Sequence, residues 1–278
     1  MIRLFSLLAG LFFVAALAWS LLWGGIQFAS DGLPTSVERE FHKSHPKPLH
    51  LASDGAFGHF DNQQLQRGFQ VYQEVCSACH ALGQVAYGDL AALGYNEAEV
   101  KAIAAKAQVP SYNKLTGEVV TKPGLVSDKF PPVPYAALGV PPDLSLITKA
   151  RHGGAPYVYS LLTGYKDQAG YKNEKGEELL KKYPEAKTGE GLHFNPYFAN
   201  LNIAMAPPLT GDGQVTYSDG TKATVDQMAK DVSAFLVWTA EPKLAKRKQT
   251  GWPVLGFLLF ATILSFMAYR NVWADEKH

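Results

Sequence analysis

The sequence predicts a mainly α-helical head domain with long proline- and glycine-rich loops, held between an N-terminal and a C-terminal transmembrane helix. Three observations carry this. Two uncharged apolar runs lie toward the ends of the 278-residue chain, capped helical patterns recur between them, and the joining stretches are too rich in proline to continue those helices. The formal net charge is +1, with acidic and basic residues interspersed, so no nucleic-acid partner is expected.

The first run, Leu4 to Ser30 (LFSLLAGLFFVAALAWSLLWGGIQFAS), holds 27 residues without a charge behind Met-Ile-Arg. A cleaved secretory signal has an apolar stretch of about 7–15 residues, whereas a bilayer-spanning helix needs about 20. The length favours an uncleaved signal anchor; a signal peptide would be cut near Ala16–Ala18. The second run, Trp252 to Tyr269 (WPVLGFLLFATILSFMAY), is 18 residues long and apolar on every face, with interface-favouring Trp252, Tyr269 and Trp273 at its ends. It reads as a membrane anchor. The chain thus divides into a signal anchor or signal peptide (1–30), a head (31–250), an anchor (251–270) and a short tail (271–278).

Within the head, Asp61 caps a helix in which Leu65, Phe69, Tyr72 and Cys76 share a face, with Gln64 placed to answer the cap. Pro156 suits the first turn of a short helix through Leu162, ended by Gly164. Thr224 with Gln227 repeats the cap pattern and opens a stronger helix whose Val225, Met228, Val232, Phe235 and Leu236 form one apolar face. The stretches 123–143 and 194–213 interleave prolines with apolar and aromatic residues, as loops that wrap something do. The segment 171–191 is charged and reads as a solvated excursion, and Asp219-Gly220 offers the turn of a small hairpin.

The chemistry lies at the end of the first of these helices. Cys76 and Cys79 are the only two cysteines, and His80 follows at once, in the stretch EVCSACHALG. Such a pentad admits a redox dithiol, half of a zinc site or a covalent haem attachment. A closed zinc site needs four ligands, and no second half stands at ligand spacing elsewhere. A thioredoxin-type dithiol belongs in a βαβ setting, which is not seen here. C-x-x-C-H on a helix end suits haem c: two thiols reach the two vinyl groups of one porphyrin edge and the imidazole comes under the iron.

The second axial ligand then decides between electron transfer and ligand chemistry. Of four methionines, Met1 is terminal, Met267 lies in the anchor and Met228 sits on an apolar helix face. That leaves Met205 in the proline-stiffened NIAMAPPL, with His152 and His193 as rivals. His/Met ligation raises the reduction potential and closes the iron to exogenous ligands, which favours passing electrons.

Four blocks carry a family resemblance: CSACH, PPDLSLITKARHGGAPYVYSLLTGY (141–165), GLHFNPYFANLNIAMAPPL (191–209) and DVSAFLVWTAEP (231–242). In order and over roughly 200 residues, they resemble cytochrome c1, the haem subunit of the cytochrome bc1 complex, in its bacterial form. The resemblance implies a c-type cytochrome head. It implies one covalent haem c on Cys76 and Cys79, with His80 and Met205 as axial ligands. It also sets Arg151 near a haem propionate, with Tyr157, Phe198 and Pro142 lining the pocket. The partners it implies are cytochrome b and a Rieske iron–sulfur protein in a dimeric complex, cytochrome c as acceptor, and membrane lipid. Departures are the absence of cysteines for the extra disulfide of several bacterial relatives and a longer 171–191 segment.

The implied activity is that of a redox subunit of ubiquinol–cytochrome c oxidoreductase with no catalytic site of its own. Haem c is attached on the outer face, which places the head in the periplasm and the anchors in the bacterial cytoplasmic membrane. Arg3 and Arg270 then obey the positive-inside tendency, while Lys243, Lys246, Arg247 and Lys248 fall on the outer side, against headgroups, a partner or solvent. The competing readings are a membrane-tethered cytochrome serving another dehydrogenase or oxidase, and an open-site haem enzyme or gas sensor.

Overall fold

The computed structural model describes residues 2–31, 36–112, 117–134 and 140–274. Helix α1 (Ile2–Asp31) is continuous, and none of its apolar run Leu4–Ala29 is buried in the protein. It is followed by α2 (Ser36–Phe41), whose Phe41 is fully buried. Helix α3 (Asn62–Val71) starts at Asp61, whose carboxylate accepts from the backbone N–H of Gln63 and Gln64 at 3.0 and 3.4 Å. Helix α4 (Glu97–Lys106) is capped reciprocally by Asn96 and Glu99. Strands β1 (Gln108–Tyr112) and β2 (Val119–Pro123) pair antiparallel, Gln108 opposite Pro123. Short helices α5 (Ile147–Ala150), α6 (Gly154–Leu162) and α7 (Leu179–Lys182) precede the two-residue pair β3 (His193–Phe194) and β4 (Asn202–Ile203). Helix α8 (Val225–Ala240) leads into α9 (Leu244–Val272), which starts inside the stretch assigned to the head.

The main core forms where α3 crosses α8, joined by α5 and α6, because each contributes an apolar stripe that only a neighbour can cover. Leu65 and Phe69 on α3 meet Val232, Phe235 and Trp238 on α8, and Thr148 ties α5 to α8 by donating to the Leu236 carbonyl at 3.1 Å. The crossing is close. A Cβ at Gly68 would stand 2.1 Å from the Asp231 carbonyl oxygen and 2.7 Å from the Phe235 Cβ. Gly68→Ala must therefore push α3 off α8, at a cost of about 1–3 kcal/mol. The expected result is a clearly lowered Tm with the cofactor still attached; an unchanged Tm would show that the two helices have slack.

Both glutamines expected to answer helix caps do something else. The Gln64 amide donates to Asp231 Oδ1 at 3.1 Å and the Gln227 amide to the same oxygen at 2.8 Å. Arg67 adds its Nε to Asp231 Oδ2 at 2.9 Å, so the fully buried carboxylate draws donors from both helices. The caps themselves are made by Asp61 on α3 and by Thr224 on α8, where Asp212 also accepts from the Val225 N–H at 2.8 Å.

Three further expectations need correction. The charged segment 171–191 is not merely a solvated excursion: Tyr171 and fully buried Leu179 join Phe41, Phe194 and Leu201 in a second, small core. Its lysines stay outside, Lys181 paired to Glu178 and Lys182 to Glu40 and Glu177. The hairpin around Asp219-Gly220 does not form; Val215 and Tyr217 are buried as irregular backbone, and Asp219 is held by Arg67 at 2.6 Å. Of the four cations placed against headgroups, a partner or solvent, Arg247 and Lys248 are instead bound within the protein. Arg247 and Lys149 both pair with Glu241, at 2.5 and 3.1 Å, and Lys248 binds the 53–55 backbone.

The Arg247 hydrogen bond holds the Glu241 carboxyl below the usual carboxylate range against the effect of burial, with Lys149 assisting. A lowered folded pKa stabilises above the unfolded value near 4.3 and loses that contribution as pH falls through the folded one. The stability gap between wild type and Glu241→Gln, at most about 1 kcal/mol for so accessible a pair, should be constant above about pH 5 and close on acidification. Melting curves across pH 3–7 check this; a pH-independent gap would exclude the ion pairs as its source.

Candidate haem-attachment site

The cysteine motif is presented by an irregular helix end. Beyond Val71, α3 widens into a π-turn over Tyr72–Cys76, closed by Ser77 N–H donating to the Tyr72 carbonyl at 2.8 Å. Such a turn holds one more residue than an α-turn and is found mostly at functional sites. The chain then folds back: the N–H groups of Cys79 and His80 both donate to the Cys76 carbonyl, at 3.1 and 2.9 Å. Buried Tyr72 pins the result from behind, its hydroxyl donating to the His80 carbonyl at 2.9 Å. Behind it stand Phe130 and Phe235, with ring centroids 6.0 and 5.8 Å away.

Residues 80–84 are laced to 142–145. Leu144 N–H donates to the Ala81 carbonyl (2.9 Å), Gly83 N–H to Asp143 Oδ2 (2.7 Å) and Gln84 N–H to Ser145 Oγ (3.1 Å). The fourth contact is the informative one. His80 Nδ1 lies 2.8 Å from the Pro142 carbonyl oxygen. A carbonyl only accepts, so Nδ1 carries the proton and Nε2 keeps a free lone pair, aimed by the same bond.

The two thiols differ. Cys79 is exposed and Cys76 half-buried against the main core, and they are not paired with each other. Burial, with a smaller effect of Cys79, pushes the Cys76 thiol up to about 12. A thioether, with no proton to lose, suits that apolar position. Among the described residues no three His, Cys, Asp or Glu side chains gather as they would around one ion. The thiols and imidazole therefore serve separate points, which fits a porphyrin edge and its iron and does not supply a tetrahedral zinc set. These residues fit a covalent haem.

Met205 belongs to a second group of contacts. It is half-buried, and its carbonyl accepts from the Tyr165 hydroxyl at 2.9 Å, leaving the thioether uncommitted. Burial raises the Tyr165 phenol well above its ordinary range, with a smaller effect of its neighbour Tyr157. Tyr157 is raised by burial too, opposed by nearby Arg151. Arg151 is exposed and has no carboxylate partner among the described residues; its N–H donates to the Ile147 carbonyl at 3.1 Å. The two groups meet through α5 and α6: Pro142 leads into α5, Arg151 ends it, and Tyr157 lies in α6.

Phe198 is half-buried in the turn Asn195–Leu201, and among the described residues its ring pairs with no other. Leu201 closes that turn at φ 64°, in the left-handed region unusual for a bulky side chain, four residues ahead of Met205. His152 is exposed before α6, and His193 lies in β3. Sequence reasoning missed Tyr72, Asp143 and Tyr165, which hold the motif and the methionine strap. Only Tyr72 left a signal, as a member of the α3 stripe.

A profile of the Cytochrome C1 family matches residues 51–276. The chain is 45% identical over 237 residues to cytochrome c1 of Rhodospirillum rubrum, covering 81% of this chain and 86% of that protein. It is 43% identical over 234 residues to the mitochondrial haem protein cytochrome c1-2 of Solanum tuberosum, covering 80% and 83%. It is also 40% identical over 246 residues to a protein of Candida albicans named the mitochondrial cytochrome b-c1 complex catalytic subunit, covering 85% and 80%.

Proposed function

Because the chain belongs to the cytochrome c1 family, a subunit family of the bc1 complex carrying a covalent c-type haem, we propose that it is that complex's one-electron relay between a Rieske iron–sulfur protein and cytochrome c. Cys76 and Cys79 hold the porphyrin edge. His80, through Nε2, and Met205, on a strap that Tyr165 holds by its backbone, are the residues that would hold the iron, and the haem would supply one-electron redox chemistry there. Arg151, lacking a carboxylate of its own, is available to a propionate, and Tyr157, Phe198 and Pro142 line the pocket. The observation that carries the reading is the 2.8 Å His80–Pro142 contact, which readies the imidazole nitrogen a haem iron needs.

No substrate bond is made or broken at this subunit; its residues orient, exclude water and set the potential. The protein is membrane-anchored. In our reading α1 is an uncleaved signal anchor and α9 the second span, which leaves the head in the periplasm and residues 271–278, of which 275–278 lie outside the described residues, in the cytoplasm. Cytochrome b and the Rieske protein complete a dimeric complex. The test is purification from membranes followed by single-turnover mixing. A co-purifying cytochrome b, haem reduction on adding ubiquinol and reoxidation on adding cytochrome c are expected. Recovery without cytochrome b, with electrons arriving from another dehydrogenase, would overturn the assignment.

A further inference from the structure

The loop from Leu51 to His59 is closed on itself. Leu51 N–H donates to Asp54 Oδ2 at 2.8 Å, Asp54 N–H to the Leu51 carbonyl at 3.0 Å and His59 N–H to the Ala52 carbonyl at 2.9 Å. Its tip needs two glycines: Gly55 has φ 68°, and a Cβ at Gly58 would lie 2.2 Å from the carbonyl oxygens of Ser53 and Asp54. Helix α9 grips this tip. Lys248 Nζ donates to the carbonyls of Ser53 and Gly55 at 2.8 and 2.6 Å, and Trp252 Nε1 donates to that of Ala56 at 3.3 Å. The Phe57 and Trp252 rings stack with centroids 5.0 Å apart and planes 16° from parallel. Even so, Phe57 is 79% exposed and Trp252 46%.

One exposed phenylalanine is ordinary; this one's place is not. Trp252 is the first residue of the apolar run, the level at which tryptophans collect at a bilayer surface. The hydrogen bonds and the stack bring Phe57 to that same level. Lys243 and Lys246 lie above it, exposed and with no carboxylate partner among the described residues. From Lys246 to Trp252 the helix rises about 9 Å, close to the roughly 5–8 Å headgroup layer of one leaflet. The Lys246 amine thus stands at phosphate height over an aromatic pair at the headgroup–acyl boundary, and Lys243, about 4–5 Å further out, reaches the same level on its flexible stem.

We propose that the 53–58 loop is a second, lipid-facing contact between the head and the bilayer. Phe57 and Trp252 lie as one aromatic plate at the headgroup–acyl boundary, with Lys243 and Lys246 on lipid phosphates. The head is then held at a fixed height and tilt instead of pivoting on α9. The inference rests on α9 spanning the membrane.

The test uses the full-length, haem-loaded chain in vesicles of phosphatidylcholine and phosphatidylglycerol. With Cys76 and Cys79 tied in thioethers, Phe57→Cys supplies a single thiol for a nitroxide label. Ala56→Cys, which leaves Phe57 in place, Gln73→Cys on the exposed head and Leu264→Cys within α9 are labelled alike. The accessibility of each label to oxygen, relative to a water-soluble nickel chelate, reads its depth. The labels at 56 and 57 should give ratios severalfold above that at 73 and below that at 264. Ratios equal to that at 73 would put the loop in water and overturn the proposal. Labels at 56 and 57 shielded from both reagents would mean a protein surface covers the loop, which overturns it too. A water-like ratio at 264 would show that α9 itself is not inserted, and would remove the premise.

Discussion

In Met205→Leu, the oxidised protein should lose its weak far-red sulfur-to-iron band, the reduced protein should bind carbon monoxide, and the reduction potential should fall by on the order of 0.2 V, within the roughly 0.8 V range that axial ligands set. Leucine nearly conserves the volume of methionine, and such swaps cost little where packing allows. The hydrogen bond from Tyr165 goes to the backbone carbonyl and survives the change. The strap should therefore keep its place and lose only the sulfur, so the three readouts move together. Wild-type protein that already binds carbon monoxide, with a variant that looks the same, would show that Met205 is not the ligand. The open-site enzyme or sensor would then be the better account.

Arg67→Ala should be the most destabilising single change in the head, by about 3–5 kcal/mol, because it strands a buried carboxylate. Asp231 has no exposure at all. Without Arg67 it keeps only two neutral amide donors, those of Gln64 and Gln227. Burial disfavours the guanidinium charge, yet the hydrogen bonds to Asp231 and Asp219 outweigh it and raise its pKa. A raised pKa stabilises below the unfolded value and is lost only above it, so Arg67 keeps its charge, and the pair its contribution, throughout the neutral range in which unfolding is measured. Urea unfolding of Arg67→Ala, Asp231→Asn and the double variant separates the contributions. The double variant should recover part of the loss, since no buried charge is left unpaired and Asp219 is the more accessible partner. Additive losses would mean that the pair is not coupled.

The legible parts of this fold were those in which local pattern and tertiary need coincide. Helices α3 and α8 combine a cap with a wide apolar stripe, and the apolar runs of α1 and α9 exceed any core helix in length. Helix α4 carried a readable Asn96–Glu99 cap, but it buries only Val100 and Ala104, too thin a stripe to register. Strand β2 has no alternation to read, since four of its five residues are exposed. Gln64 and Gln227 fit the capping pattern, and only Asp231, more than 160 residues from Gln64, shows where the first amide goes. At the candidate site, Cys76, Cys79 and His80 stand out in the sequence because the C-x-x-C-H spacing is what haem attachment would require. The Pro142 contact was not, since it is made by a carbonyl that every residue has.

The second core has a consequence for the order in which the site comes apart. His80 is tethered on both sides in the main core, by Cys76 before it and fully buried Leu82 after it. The Met205 strap is tied at Leu209 to that same core, but at Leu201 to the small cluster of Phe41, Tyr171, Leu179 and Phe194. Subglobal openings follow such units, and the smaller unit opens at lower free energy. With the proposed His80 and Met205 ligation, mild denaturant or heat should thus free the sulfur while the imidazole stays bound, giving a half-released state well before global unfolding. Leu179→Ala, a change in the small cluster and outside the main core, should bring that state forward without altering the final transition.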